Sequence, residues 1–196
     1  STGVSQPLRK TAIQNGKDVV RFDGANDKMA TSAFNKAAAL SVFIVTKAND
    51  WNPSAYKTLI SQGYAADPNT SGMIIYGSAV ASVDWFTNGY MTVGSGYNIG
   101  QNPRAHGAAA AGSDFRLMTT QLSNTIARVF INGSDVSTVE TTGNCVIQNE
   151  ALYISDDTFG NVWDGDISEI LVYPTALGTD DRTAVEAYLN AKYAIY

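Results

Sequence analysis

Residues 163–196 constrain the fold more than any other stretch of the chain. Trp163-Asp164-Gly165-Asp166-Ile167-Ser168-Glu169-Ile170-Leu171-Val172-Tyr173-Pro174 leads through Thr175-Ala176-Leu177-Gly178 into a helical tail. Ile167, Glu169, Leu171 and Tyr173 alternate with Ser168, Ile170 and Val172, which predicts a strand with one apolar face. Pro174 has no N–H to offer a ladder and ends that strand. Thr179 stands where an N-cap belongs, and Asp180 and Asp181 fall in the first turn, where the helix dipole favours negative charge. Val185, Tyr188, Leu189 and Lys192 then recur at helical spacing and predict one stripe that docks on a sheet.

Upstream, the chain reads as short strands punctuated by turns. Leu8–Ile13 and Val19–Phe22 flank Asn15-Gly16, a pair suited to the positive φ angles of a tight hairpin. Leu40–Thr46 is apolar and β-branched on both faces, which predicts a central strand. Further strands are expected at Thr58–Ser61, Met73–Tyr76, Val80–Phe86, Phe115–Leu122, Thr125–Ile131, Asp135–Val139 and Ala151–Ile154, with one helical turn within Phe34–Leu40. Strands at roughly 8–12-residue spacing signal a sandwich. Residues 87–112, rich in Gly and Ala, are expected to form a long irregular loop, and loops of that length are usually functional. The fold expected is all-β, a two-sheet antiparallel jelly-roll sandwich with one C-terminal α-helix.

Three segments carry a resemblance to a known family. Gly165, Ile167, Glu169, Ile170, Tyr173, Leu177, Val185, Glu186, Tyr188, Leu189, Lys192 and Tyr193 match a closing pattern of strand and acidic-capped helix. Val19-Val20-Arg21-Phe22-Asp23-Gly24-Ala25-Asn26-Asp27 matches a Phe-Asp-Gly-x-x-Asp turn, and Ala127–Gly133 a late strand with its Asn-Gly turn. The chain thereby resembles the laminin-G-like, concanavalin A-like modules of bacterial and phage type over about its whole length. The resemblance implies a single domain over residues 1–196. It also implies further strands ahead of Gln6-Pro7, so the chain is expected to belong to a longer parent protein.

Composition narrows the function. The 196 residues are 44% hydrophobic, enough for one sizeable core, and the net charge of −5 argues against nucleic acid as a partner. Cys145 is the only cysteine, so no intrachain disulfide forms, and no run approaches the ~20 apolar residues of a membrane span. Asp outnumbers Glu 14 to 4, as suits a chain of turns.

Catalytic chemistry finds little support. Glycan hydrolysis needs two carboxylates across a cleft, about 5–10 Å apart. Asp164-Gly165-Asp166-Ile167-Ser168-Glu169 echoes the Glu-x-Asp-x-x-Glu of related glucanases, but its leading residue is Asp, and Gly165 and Glu169 also belong to the non-catalytic pattern. They are read as scaffold. His106, the only histidine, has no nucleophile motif beside it. No catalytic residue is assigned.

Two kinds of binding remain. Asp23, Asn26 and Asp27 crowd one turn and are the candidate ligands for calcium, which takes carboxylate and amide oxygens; the same residues also suit ordinary turn chemistry. Sugar recognition calls for aromatic faces beside planar polar groups, and the candidate ligand-binding residues are Trp51, Tyr56, Tyr90, Tyr97, Asn98, Arg104 and His106. With the resemblance, these imply a non-catalytic recognition module of a secreted or phage structural protein, extracellular or virion-associated. Its expected partner is a glycan or cell-surface polysaccharide. Two rival readings are a virion or cell-surface assembly protein that contacts other structural subunits, and a glycosidase or polysaccharide lyase.

Overall fold

The computed structural model describes residues 5–36, 39–49, 56–62, 73–78, 90–94, 104–108, 114–123, 126–141, 148–156 and 160–196. In chain order these form β1 (Leu8–Gln14), β2 (Lys17–Asp23), β3 (Met29–Ala30), β4 (Phe34–Lys36), β5 (Leu40–Ala48), β6 (Lys57–Gln62), β7 (Met73–Ser78) and β8 (Tyr90–Gly94). There follow β9 (Arg104–Ala108), β10 (Arg116–Leu122), β11 (Ala127–Ile131), β12 (Ser134–Asp135), β13 (Ser137–Thr141), β14 (Gln148–Glu150), β15 (Leu152–Ile154), β16 (Asp164–Tyr173) and α1 (Thr179–Tyr193). One sheet runs β1-β2-β16-β5-β10-β11-β12 and the other β13-β9-β8-β7-β6-β15-β3, with β4 and β14 as a separate pair. Their strand pairings are antiparallel, and one helix closes the described chain. The expected jelly-roll sandwich is the observed one.

The first sheet is buried on both faces at its centre, as the composition of β5 predicts. Val42, Ile44 and Ala48 join Phe22, Met118, Val129 and Ile167 in the core between the sheets. Phe43 and Val45 point the other way, joining Val19, Leu117, Leu189 and Tyr193 in a second core beneath the helix. Full burial of a side chain such as Leu189 stabilises the fold by roughly 1.5–3 kcal/mol. Two cores therefore share one sheet.

β16 serves both cores because its alternation is interrupted. Ile167 pairs with Thr46 and Glu169 with Val45, so Ser168 is an extra residue with no partner in the register. Before the bulge Ile167 faces the inter-sheet core; after it Ile170 does, while Leu171 and Tyr173 turn to the helix. The single apolar face expected from strict alternation is thus replaced by two. The bulge also brings Asp166 and Glu169 to the same face, the helix side.

At its N-terminal end β16 crosses β5 at very close range. Gly165 has φ 150°, and a Cβ there would lie 2.1 Å from the Lys47 carbonyl oxygen. No side chain fits that crossing.

The first hairpin forms as expected, with Asn15 at φ 48° and Gly16 at φ 70°. Its turn then reaches the far end of the chain: Gln14 Nε2 donates to the Tyr193 carbonyl at 2.6 Å, and Asn15 Nδ2 to that of Lys192 at 3.0 Å. Both carbonyls belong to the last turn of α1, where acceptors lack helical partners.

Other expectations change in detail. Helix α1 is N-capped by Gly178 without a side-chain hydrogen bond, so Thr179 is its first residue and not its cap. Its buried face consists of Arg182, Glu186, Leu189 and Tyr193, whereas Tyr188 is 54% exposed. Arg182 Nη1 donates to Glu186 Oε2 at 2.5 Å and lies 3.9 Å above the Phe130 ring, which lets two charged residues occupy an apolar stripe. Phe34–Lys36 forms strand β4 instead of a helical turn, because pairing with Gln148–Glu150 outweighs local preference. Residues 90–94 and 104–108, expected within one irregular loop, are interior strands of the second sheet, where pairing on both sides compensates for the glycine and two alanines of 104–108. The expected strand at Val80–Phe86 lies outside the described residues.

The Asp23 turn folds around its own side chains. Asp23 Oδ1 accepts the N–H groups of Ala25 at 2.9 Å and Asn26 at 3.2 Å, while Asp27 Oδ2 accepts that of Asp23 at 3.0 Å. The backbone donors of Ala25 and Asn26 hold the exposed Asp23 carboxyl below the usual carboxylate range. A depressed folded-state pKa adds stability above the unfolded value, near pH 4, and that contribution disappears as pH falls through the lower folded value.

Two outcomes are expected. Gly165→Ala costs about 3 kcal/mol or more in urea unfolding, whereas Gly16→Ala, which meets no atom within 4 Å, costs about 1–2 kcal/mol for its positive φ alone; equal costs would refute the crossing constraint. Asp23→Asn loses stability at neutral pH but shows a shallower decline in urea midpoint between about pH 5 and about pH 3. Parallel acid limbs in the two proteins would remove Asp23 from the titration.

Candidate functional site

The second sheet places several candidate residues on one surface. Ile75 is fully buried in the inter-sheet core and marks the inner face of β7. It pairs with Val93, and Val93 with Ala105, so those positions share the inner face. The neighbouring row therefore belongs to the outer face: Thr138 pairs with His106, His106 with Thr92, Thr92 with Tyr76 and Tyr76 with Thr58. One residue from each of five adjacent strands stands at a single level, spanning about 19 Å at ordinary strand spacing, and the row is enclosed at its β6 end, where Thr58 is fully buried. Strand alternation adds Tyr90 on β8 and Arg104 on β9 to this face.

Of the seven candidate ligand-binding residues, Tyr90, Arg104 and His106 are thus brought together. Tyr56 stands immediately before β6 and is half-buried. Trp51, Tyr97 and Asn98 lie outside the described residues. Tyr76 and Thr92 belong to the same row and were missed by the sequence reading. Alternation around Ile75 was the available signal for Tyr76, but with residues 87–112 read as a loop, Thr92 was not placed on a strand and Tyr76 had no expected strand on its β8 side.

The calcium candidates occupy the turn described above. Asp23 and Asp27 direct a carboxylate oxygen each at backbone N–H groups, Asn26 contributes its own N–H, and Asp27 is only 5% exposed. Lys57 Nζ contacts the Gly24 carbonyl at 3.4 Å, and Lys28 Nζ pairs with Asp156 Oδ2 at 3.1 Å. Among the described residues, no three His, Cys, Asp or Glu side chains assemble into a metal-binding group.

The acidic residues of β16 also have assigned partners. Asp166 receives a two-pronged contact from Arg21, Nε to Oδ1 at 2.6 Å and Nη2 to Oδ2 at 2.8 Å. Glu169 Oε2 receives Lys192 Nζ at 2.8 Å, a bond that is the leading reason the lysine is held above its ordinary pKa. Asp164 Oδ1 accepts from Asn49 Nδ2 at 2.6 Å. Asp166 and Glu169 face the helix side of the first sheet, away from the row on the second. They tie strand to strand and strand to helix.

No family model and no curated protein sequence matches the chain. Solved structures do. Domain 4 of AbnA, an extracellular GH43 arabinanase from Geobacillus stearothermophilus in complex with arabinotriose, is 16% identical at a TM-score of 0.63, with 92% of this chain and 81% of that chain covered. The CBM40 of the Ruminococcus gnavus IT-sialidase, bound to α2,3-sialyllactose, is 16% identical at a TM-score of 0.61, over 90% of this chain and 100% of that one. The heptameric SAP-like pentraxin of Limulus polyphemus is 16% identical at a TM-score of 0.61, over 85% and 80%. Together with the two-sheet topology and the terminal helix, these likenesses show that the chain has the concanavalin A-like, laminin-G-like jelly-roll fold.

Proposed function

We propose that the protein is a non-catalytic carbohydrate-recognition module of a secreted or phage structural protein. The observation that carries this reading is the cross-strand row on the outer face of the second sheet, with Tyr76, Thr92 and His106 at one level and Tyr90 and Arg104 beside them. Aromatic residues supply broad apolar faces, and hydroxyl, imidazole and guanidinium groups supply directional hydrogen bonds, the two requirements of a saccharide surface. A rigid sheet is a suitable support, because its backbone fixes the spacing of those groups before a ligand arrives. Two solved structures with this fold, the arabinanase domain and the sialidase module, contain bound oligosaccharides and support the reading by analogy. The non-catalytic part rests on Asp166 and Glu169, which are committed to Arg21 and Lys192 on the other sheet.

Affinity electrophoresis through a polysaccharide panel tests the proposal. The wild-type protein is expected to be retarded by at least one polysaccharide. Tyr90→Ala weakens that interaction about tenfold or more, a loss of about 1.4 kcal/mol, and Tyr188→Ala on the exposed side of α1 leaves it unchanged. Wild-type mobility indifferent to every polysaccharide, with light scattering showing a stable oligomer, would replace this reading with an assembly role.

A further inference from the structure

We infer that the outer face of the second sheet takes an anionic saccharide, one bearing carboxylate or sulfate groups. The inference rests on the carbohydrate-recognition reading and adds the charge of the ligand. Arg104 and His106 are two residues apart on β9, so they share this face with about 7 Å between their Cα atoms. Both lie within the registered part of the sheet, opposite Thr141 and Thr138 on β13. Among the described residues, every other registered position on the outer face of β6, β7, β8, β9 and β13 carries a neutral residue, including Ser61, Ile74, Tyr76, Thr92 and Thr138. Glu140 falls in the β13 irregularity between Val139 and Thr141 and has no registered partner.

With the histidine counted neutral, as in the chain's net charge of −5, Arg104 is the one formal charge among these registered positions, and it is positive. At physiological salt, exposed charges are largely screened beyond about 8 Å, so among the described registered positions Arg104 is the charge that a ligand on this face meets, with His106 beside it as a hydrogen-bonding group. Arginine suits the task because its planar fork donates two parallel hydrogen bonds to a carboxylate or sulfate. The aromatic positions Tyr90 and Tyr76 lie one and two strands away from β9, which leaves room for an apolar sugar face beside the charged substituent.

The test compares uncharged dextran, carboxylated polygalacturonate and dextran sulfate as probes, titrated at about 0.05 M and about 0.3 M salt. At least one charged polymer is expected to bind about tenfold or more tightly than dextran, with affinity that falls as salt rises. Polygalacturonate or dextran sulfate as the preferred probe identifies the anionic group. Arg104→Gln is expected to remove most of that preference and its salt dependence, while Arg104→Lys keeps the salt dependence and loses part of the affinity. Equal binding of charged and uncharged polymers, or an equal loss for all three in Arg104→Gln, overturns the anionic assignment and leaves carbohydrate recognition standing. Binding to no carbohydrate in the panel overturns both.

Discussion

The insertion of β16 between β2 and β5 is the constraint on which the rest of the structure depends. It links the first hairpin to the centre of its sheet and launches the only helix among the described residues. That position requires a crossing too tight for any side chain, supplied by Gly165, and a change of facing midway, supplied by the Ser168 bulge. Without the bulge, Leu171 and Tyr173 would turn toward the inter-sheet core, and the helix would lose much of its apolar seat. The aromatic edge contact of Tyr173 with Phe43, at 5.7 Å between centroids, exists because of that switch.

The charged groups follow the same architecture. Arg21 with Asp166 joins β2 to β16, and Lys192 with Glu169 joins α1 to β16. Asp166 is nearly buried, so loss of Arg21 would leave an enclosed charge, a more serious defect than loss of an exposed pair. An acidic sequence that resembles a catalytic signature thus becomes a pair of fasteners. Residue spacing alone did not distinguish the two uses, because the bulge sets which carboxylates share a face.

Legibility varied with the source of the information. Asn15-Gly16 declares its turn locally, and the two-faced apolarity of Leu40–Thr46 reports burial on both sides, so both could be read from residues alone. The helix was also legible, but its docking face was not: Arg182 and Glu186 are buried by pairing with each other and by the Phe130 ring. Residues 104–108 form a strand through neighbours rather than strong intrinsic preference, since β9 reads Arg-Ala-His-Gly-Ala, whereas residues 90–94, Tyr-Met-Thr-Val-Gly, carry strand-favouring residues that the surrounding glycines obscured. The candidate surface inherited that difficulty. Tyr90, Arg104 and His106 were identifiable by chemical type, whereas their shared face with Tyr76 and Thr92 emerges only from cross-strand register.

The amides of Gln14 and Asn15 that hold the last turn of α1 join the earliest and latest described elements through the back of the first sheet. Loosening the helix would therefore also unmoor the opening hairpin, making those distant segments partners in one cooperative unit. The outer row of the second sheet lies across the core from that fastening. Its side-chain chemistry can diverge without rewriting the joint that keeps the module closed. In a population of related sequences, recognition and cohesion could consequently change at separate rates.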